Sequence, residues 1–346
     1  MTDVSQHQRW SLTAALLLAL GACGDAPVNW PVQELAGSTM GTAFSVKVVA
    51  PPPDLDLASL QQDIQETLDA INQTMSTYLD ESELTQFNTS TDTNWVEVSA
   101  ELCHAIEAAQ VISQFTEGAF DVTVGPLVNL WGFGPSESIT TPPTDEQVAG
   151  AMSNTGYTKL HTDCAAPALR KDSPGLYVDL SAFAKGHAVD RVADLLDDRA
   201  LPNYLVEIGG ELRLRGLNGK GKNWAIAIET PDRTARSVQT TVHLTNTGMA
   251  TSGDYRNYFE HEGVHYSHTI DPRTGRPVTH DGASVTVIAD TAAFADAAAT
   301  ALLVMGPEAG LALAERESIT AYFLLRLGSK FEERMSTLFA TEVLGR

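Results

Sequence analysis

The sequence predicts an α+β fold. Strand-like segments come in runs and pairs and do not alternate regularly with helical segments, as they would in a doubly wound parallel sheet. The chain has no GxGxxG turn, no GxxxxGK[ST] loop and no GxSxG elbow, so the usual signatures of Rossmann, P-loop and α/β-hydrolase proteins are missing. The predicted strands are residues 41–49, 204–216, 224–229, 283–289 and 320–326.

Helices are predicted where apolar residues recur every three or four positions. Ser99 could cap a helix that ends at Gly118. Further helices are predicted at 184–197, through Asp296, and after Pro307, because proline suits the first turn of a helix. The first predicted helix carries its apolar face on Leu60, Ile64, Leu68, Ile71 and Met75.

The first residues predict a lipoprotein signal peptide over residues 1–22. A polar start with one basic residue, Arg9, precedes an apolar run from Leu12 to Leu20. This run is too short to span a bilayer, which needs about 20 residues, and it matches the apolar region of a secretory signal. We expect no membrane span in the rest of the chain.

The residues around Cys23 resemble a bacterial lipobox. The order Leu-Gly-Ala-Cys ends at Cys23, which would become lipid-modified and form the new N-terminus. Ordinary cleavage that releases a soluble protein stays open, because both processes use small residues at the cleavage site. We interpret residues 23–35 as a tether and residues 36–346 as the folded domain.

Composition and net charge indicate a globular protein that does not bind nucleic acid. The chain has 346 residues, 43% of them apolar and 19% charged, which is ample for a packed core. A net charge of −22 argues against nucleic acid as a partner, since binding phosphates needs clustered Lys and Arg. Beyond Cys23, Cys103 and Cys164 could pair in an oxidising compartment or remain buried free thiols.

Two segments are predicted as loops. Residues 216–224, GLNGKGKNW, contain glycines and lysines that could cradle a phosphate, but they lie between two strand-like runs and are predicted to be a hairpin loop. Residues 135–145 are rich in Pro, Ser and Thr and predict a long surface loop.

One carboxylate, Asp296, lies inside the alanine-rich apolar run from Thr291 to Met305, with Thr300 four residues later. Residues four apart share a helix face, and an unpaired buried charge would cost several kcal/mol. A positive group should therefore meet Asp296. A hard cation such as Mg²⁺ suits a carboxylate and a hydroxyl on one face; the alternative is a half-exposed helix with Asp296 in water.

Short blocks of Gly, Asp and aromatic residues lie beside the predicted strand ends, and together they suit a phosphorylated aromatic nucleotide. In chain order they resemble the blocks of the ApbE family, the FAD:protein FMN transferases. The blocks are GSTMGTAFSVKV (37–48), MSTYLDESELTQFN (75–88), GAFDVTVGPLVNLWGFG (118–134), YVDLSAFAKG (177–186), VEIGGELRLRG (206–216), ATSGDYRNYF (250–259) and SHTIDPRTGRPV (267–278).

The resemblance implies a fold of antiparallel sheets with packed helices, in two halves that flank the flavin site. It makes residues 36–346 a flavin transferase domain that moves FMN from FAD to a threonine hydroxyl of a target protein, with Mg²⁺, and releases AMP. The implied Mg²⁺ ligands are Asp296, Thr300 and the backbone carbonyl of Ala182, and the implied catalytic base is His268, with Asp296 also catalytic through the metal. The implied flavin contacts are Met40, Tyr78, Ala119, Phe120, Asp121, Asp179, Lys185 and Ile270.

The partner is expected to be a different protein. The acceptor motif of the family, an acidic residue followed shortly by Ser or Thr, Gly, Ala and Thr, does not occur in this chain. A lipid-anchored enzyme on the periplasmic side of the cell envelope would meet flavin-bearing subunits of RNF or sodium-pumping NADH:quinone oxidoreductases. Two other functions stay open: an Mg²⁺-dependent FAD pyrophosphatase, and a non-catalytic flavin-binding lipoprotein.

Overall fold

The computed structural model describes residues 28–135, 138–232, 237–254, 257–328 and 330–346. The predicted signal peptide (residues 1–22) and the first five residues of the predicted tether, including Cys23, lie outside the described residues.

Seven α-helices lie in the described residues, with a short 3₁₀ turn at Tyr157–Lys159 and a π-helical turn at Phe339–Val343. The helices are α1 (Leu57–Met75), α2 (Glu83–Thr89), α3 (Ala100–Phe115), α4 (Gly125–Leu130), α5 (Asp145–Ser153), α6 (Ala184–Asp198) and α7 (Ala292–Arg316).

The strands of the described residues form one large sheet and four small ones. They are β1 (Val32–Thr39), β2 (Thr42–Val49), β3 (Val96–Glu97), β4 (Leu160–Asp163), β5 (Ala168–Lys171), β6 (Tyr204–Ile208), β7 (Glu211–Arg215), β8 (Trp224–Glu229), β9 (Val238–Leu244), β10 (Thr247–Gly253), β11 (Tyr258–His261), β12 (Val264–Ser267), β13 (Ile270–Asp271), β14 (Arg276–Pro277), β15 (Gly282–Ala289), β16 (Thr320–Leu327) and β17 (Lys330–Met335).

The large sheet has eight strands in the order β1-β2-β6-β7-β10-β15-β16-β17, and every neighbouring pair is antiparallel. The predicted α+β class is confirmed. On one face, α1 and α6 pack against β2 and β6, and α7 packs against β10, β15 and β16. The hairpin β8–β9 and the C-terminal segment around Phe339 cover the opposite face.

One strand prediction and one loop prediction need correction. The run 204–216 is two strands, because Gly209 and Gly210 take positive φ angles and turn β6 back onto β7. The segment 216–224 is not a hairpin loop. It leads from β7 in the large sheet to β8, which pairs with β9 in a separate sheet. Pairing partners depend on distant segments, which a local turn pattern does not specify.

The edges of the large sheet were also missed. Strand β1 begins at Val32, inside the segment interpreted as a tether, and pairs with β2 along its length. Strand β17, KFEERM, is charged, and each of its residues is exposed or half-buried. Edge strands carry polar and charged side chains that discourage aggregation, so they lack the apolar pattern of an interior strand.

The predicted helices are confirmed, with small shifts at their ends. Ser99 caps α3 by accepting the N–H of Leu102, and α3 ends at Phe115, before the positive-φ turn that includes Gly118. Helix α7 breaks at Gly306, where φ is 78°, and resumes at Pro307.

Helix α7 is a core helix. By length and composition it could cross a membrane, contrary to our expectation for the rest of the chain, but 61% of its apolar segment is buried inside the fold. Its many alanines allow this burial, because a small side chain lets neighbouring elements approach closely.

Two glycines bring other elements against the start of α7. A Cβ on Gly186 of α6 would lie 2.4 Å from the carbonyl oxygen of Ala292, and a Cβ on Gly248 of β10 would lie 2.4 Å from the Ala292 nitrogen. Neither position has room for a side chain, so α6 and β10 both pack directly against the first turn of α7. We call this packing of Gly186 and Gly248 against α7 the clamp.

Asp190 of α6 strengthens this clamp. Its two carboxylate oxygens accept the N–H groups of Ala292 (2.9 Å) and Ala293 (2.8 Å) at the N-terminus of α7. These N–H groups have no partner inside their own helix. Burial raises the pKa of Asp190, and the bonds from Ala293 and Ala292 and the charge of Arg213 oppose that rise.

Cys103 and Cys164 form a disulfide that joins α3 to the turn between β4 and β5. Their pairing, which the sequence left open, closes a sequence separation of 61 residues. A structural disulfide is typical of proteins outside the cytosol.

We predict that Gly186→Ala destabilises the protein by about 1–3 kcal/mol, because the added methyl group overpacks the contact between α6 and α7. The free energy of unfolding in urea would measure this. Gly150→Ala is the matched control: it lies in α5 with no heavy atom within 4 Å of the added Cβ, and it should be neutral or stabilise by about 0.5–1 kcal/mol. Equal stability of Gly186→Ala and wild type would contradict the clamp.

Candidate active site

A cavity of about 640 Å³ collects most of the residues that the sequence predicted, and its volume is in the range of ligand pockets. It lies beside the β6–β7 turn, strand β10 and the N-terminal half of α7. The predicted residues that line it are Tyr78, Ala119, Phe120, Asp121, Asp179, Ala182, Lys185, His268, Ile270, Asp296 and Thr300.

Met40 is the one predicted flavin contact that does not line the cavity. It occupies the turn between β1 and β2 with a φ of 47°, packs against the core, and is not among the residues that line the cavity. Its contact with flavin stays a prediction from the resemblance.

The segment of Ala119, Phe120 and Asp121 forms a buried wall. Asp121 has a structural role there, because its carboxylate accepts the N–H and hydroxyl of Thr123 (both 2.7 Å) and the N–H of Tyr157 (2.8 Å). Burial raises the pKa of Asp121, and these bonds partly oppose the rise.

Asp179 lies beside this wall at the end of an extended segment. Its N–H donates to the carbonyl of Val122 (2.7 Å), and its carboxylate accepts the N–H of Ser181 (2.8 Å). The amide side chain of Asn88 bonds both backbone groups of Val178, at 2.7 and 2.8 Å. These contacts fix the approach of the chain to α6.

Aromatic and apolar side chains form another part of the wall. Tyr78 is 63% exposed, and its hydroxyl lies 3.5 Å from the carbonyl of Phe133. This exposed ring beside a cavity is available for stacking. Ile270 is mostly a core residue, 6% exposed and clustered with Leu127 and Trp131.

The buried carboxylate of Asp296 is met by positive groups, as its apolar surroundings required. Asp296 is 3% exposed. Its Oδ2 accepts the N–H of Gly186 (3.2 Å) and lies 3.5 Å from Lys185 Nζ. Burial alone would lower the pKa of Lys185, but Asp296 and then Glu211 raise it above its ordinary value, so Lys185 is charged at neutral pH.

The oxygen atoms around Asp296 fit a hard cation. Thr300 lies one turn further along α7, and its hydroxyl is 2.8 Å from that of Ser252 on β10. Because the Gly186 N–H turns to Asp296, the carbonyl of Ala182 receives no backbone hydrogen bond within the described residues. A carboxylate, a hydroxyl and a carbonyl are the ligand types that Mg²⁺ prefers.

Glu211 is a site residue that the sequence reasoning missed. It is 4% exposed, lines the cavity and contacts Lys185 Nζ at 3.1 Å. Burial raises its pKa to about 7; Lys185 opposes this rise and Asp296 adds to it. Its strand, ELRLR, alternates charged and apolar residues, which is typical of a solvent-facing strand; α6 instead covers the charged face.

His268 is held in one tautomer. Its Nδ1 lies 2.9 Å from the carbonyl oxygen of Asn257, and because a carbonyl can only accept, Nδ1 carries the proton in the neutral ring. Nε2 is then left with its lone pair. Burial lowers the pKa of His268, while the bond to Asn257 and the charge of Asp254 partly restore it.

The match to known proteins is extensive. Residues 40–323 match the model of the ApbE family. The chain belongs to the ApbE family. An FAD:protein FMN transferase of Vibrio cholerae serotype O1 is 44% identical over 334 residues, which cover 96% of this chain and 98% of that protein.

Solved structures of ApbE proteins share the fold. The flavin transferase ApbE of Vibrio cholerae superposes with a TM-score of 0.83 at 44% identity, covering 90% of this chain and 98% of that one. The flavinyl transferase ApbE of Pseudomonas stutzeri, in its apo form, superposes with a TM-score of 0.84 at 38% identity, covering 92% and 98%. The α+β architecture predicted from the sequence is therefore that of the ApbE flavin transferases.

Proposed function

We propose that this protein is an enzyme that transfers FMN from FAD to a threonine hydroxyl of another protein and releases AMP. The observation that carries the proposal is that one cavity combines the Asp296–Lys185 pair with His268, whose Nε2 can accept a proton. The names of the related proteins, FAD:protein FMN transferases, support the same activity.

FAD would bind with its flavin near Tyr78 and the segment of Ala119 and Phe120, which supply apolar surface. Lys185 would meet the diphosphate. In a chain with a net charge of −22, an anionic ligand needs a locally placed cation, and the two carboxylates beside Lys185 keep that cation charged.

Asp296, Thr300 and the carbonyl of Ala182 would hold Mg²⁺. Bound there, the ion would neutralise charge on the phosphate oxygens during transfer. The contribution of the chain is to hold these ligands still: Ser252 orients Thr300, and the Gly186 N–H orients Asp296.

His268 would act as the general base. Nε2 takes the proton of the acceptor threonine hydroxyl while the hydroxyl oxygen forms a bond to the phosphorus of the FMN half of FAD. The bond from that phosphorus to the bridging oxygen breaks, and the bridging oxygen leaves with the electron pair as part of AMP. The Asn257 carbonyl stabilises the imidazolium that results, because Nδ1–H already donates to it.

The acceptor would be a protein outside the cytoplasm, anchored near the enzyme. The disulfide between Cys103 and Cys164 supports an oxidising compartment, and the predicted lipidation of Cys23 would tether the enzyme to a membrane. Flavin-bearing subunits of RNF or sodium-pumping NADH:quinone oxidoreductases are the acceptors that we propose.

The deciding experiment is mass spectrometry after incubation with FAD, Mg²⁺ and a peptide that carries the acceptor motif. An FMN adduct on the peptide threonine supports transfer. Free FMN with AMP and an unmodified peptide would identify a pyrophosphatase instead, and unchanged FAD would indicate a binding protein.

We predict that Asp296→Ala lowers the rate of transfer by at least about 10²-fold, because a group that stabilises developing charge is lost. Adduct formation against time would measure this. Asp69→Ala, which removes one carboxylate from the exposed side of α1, is the control and should transfer at the wild-type rate. A normal rate in Asp296→Ala would remove this residue from the site.

The lowered pKa of His268 predicts how kcat/KM falls on the acid side of its pH profile. Only the neutral ring can accept a proton, and it becomes protonated as the pH falls through its pKa. The value of kcat/KM should therefore decline only below about pH 6.5, the ordinary pKa of histidine. His268→Ala should slow transfer by about 10²–10⁴-fold and lose this decline while still binding FAD; a decline that persists would assign it to another group.

Membrane attachment is tested by Cys23→Ala. Without the thiol no lipid can be added, so the variant should move from the membrane to the soluble fraction of cell lysates. Immunoblots of both fractions would measure this, and continued membrane association would contradict the lipoprotein proposal.

A further inference from the structure

Lys185 lies between two buried carboxylates. Its Nζ is 3.1 Å from Glu211 Oε1 and 3.5 Å from Asp296 Oδ2. The shorter contact is with Glu211, on strand β7, and the longer one is with the proposed metal ligand on α7. One ammonium group thus contacts two acids that come from different elements of the cavity wall.

Glu211 is an unfavourable residue for the stability of the fold. Its second oxygen, Oε2, is buried and has no hydrogen-bond partner in the described part of the chain. A buried polar atom without a partner destabilises the fold, because it has lost its bonds to water and gained none. Such a violation at a cavity wall indicates a functional role.

A divalent cation on Asp296 would alter the surroundings of Lys185. The oxygen that Lys185 contacts belongs to the carboxylate that would bind the metal. Like charges repel more strongly inside a protein than in water, because the effective dielectric constant is lower, and a divalent ion doubles the repulsion that a unit charge would exert. Lys185 and the cation therefore compete for Asp296.

We propose that Glu211 is a positioning residue, which holds the Lys185 ammonium in the cavity while a divalent cation occupies Asp296. Both positive groups can then face the diphosphate of FAD. This inference rests on the proposed function, and in particular on the metal site at Asp296. In this role Glu211 acts through Lys185 and is not itself a ligand of the substrate or the metal.

The test is direct binding of Mn²⁺, as a spectroscopic substitute for Mg²⁺, to the full-length protein by EPR titration without acceptor. Glu211→Gln should weaken Mn²⁺ binding by about 5–10-fold, because Lys185 would then remain on Asp296. In a Lys185→Met background the same substitution should change the affinity by less than about twofold, since the competitor is gone.

Glu207→Gln is the matched control. Glu207 also lines the cavity, but its carboxylate accepts the Gly210 N–H at 3.0 Å. Its substitution removes the same charge from the same cavity and should change Mn²⁺ affinity by less than about twofold. Circular dichroism spectra and melting temperatures would verify that each variant is folded.

Two results would overturn the role of Glu211. An equal loss of affinity with and without Lys185 would mean that Glu211 acts on the metal directly, and unchanged affinity in Glu211→Gln would mean that Lys185 needs no second partner. Failure of the metal site is seen separately: wild-type Mn²⁺ affinity in Asp296→Ala would refute that site, and this inference with it.

Discussion

The close contact between α6 and α7 is the constraint on which the site depends. Gly186 leaves no space between the two helices, and Asp190 accepts the first free N–H groups of α7. The same turn of α6 carries Lys185, so the geometry that joins the helices also sets Lys185 against Asp296. Packing and electrostatics of the site therefore have one structural origin.

The charge of Lys185 depends on a balance between burial and its two neighbouring carboxylates. Burial alone would lower the pKa of Lys185 and favour loss of its proton, but two adjacent carboxylates keep it charged. The acids are in turn tolerable because they share that ammonium and, for Asp296, a backbone N–H. An acidic protein can thus keep one ammonium charged inside a cavity without a cluster of basic residues.

Much of the fold was predictable where the pattern is local. The five apolar residues of α1 are all buried, and β8, β15 and β16 lie within one residue of their predicted bounds. Errors arose where a distant partner decides the outcome. The segment 216–224 looked like a hairpin loop although its flanking strands belong to different sheets, and Glu211 was missed because its burial and its contact with Lys185 depend on the packing of distant segments.

The sequence by itself determined that a lone acid in an apolar helix must meet a positive group, since an unpaired buried charge is too costly. It also determined the family, through the order of its short blocks. Only the tertiary structure decided which group meets Asp296, how Cys103 and Cys164 pair, and that Glu211 shares Lys185. Those contacts join residues far apart in the chain, and their distances are set by the packing of helices against the sheet.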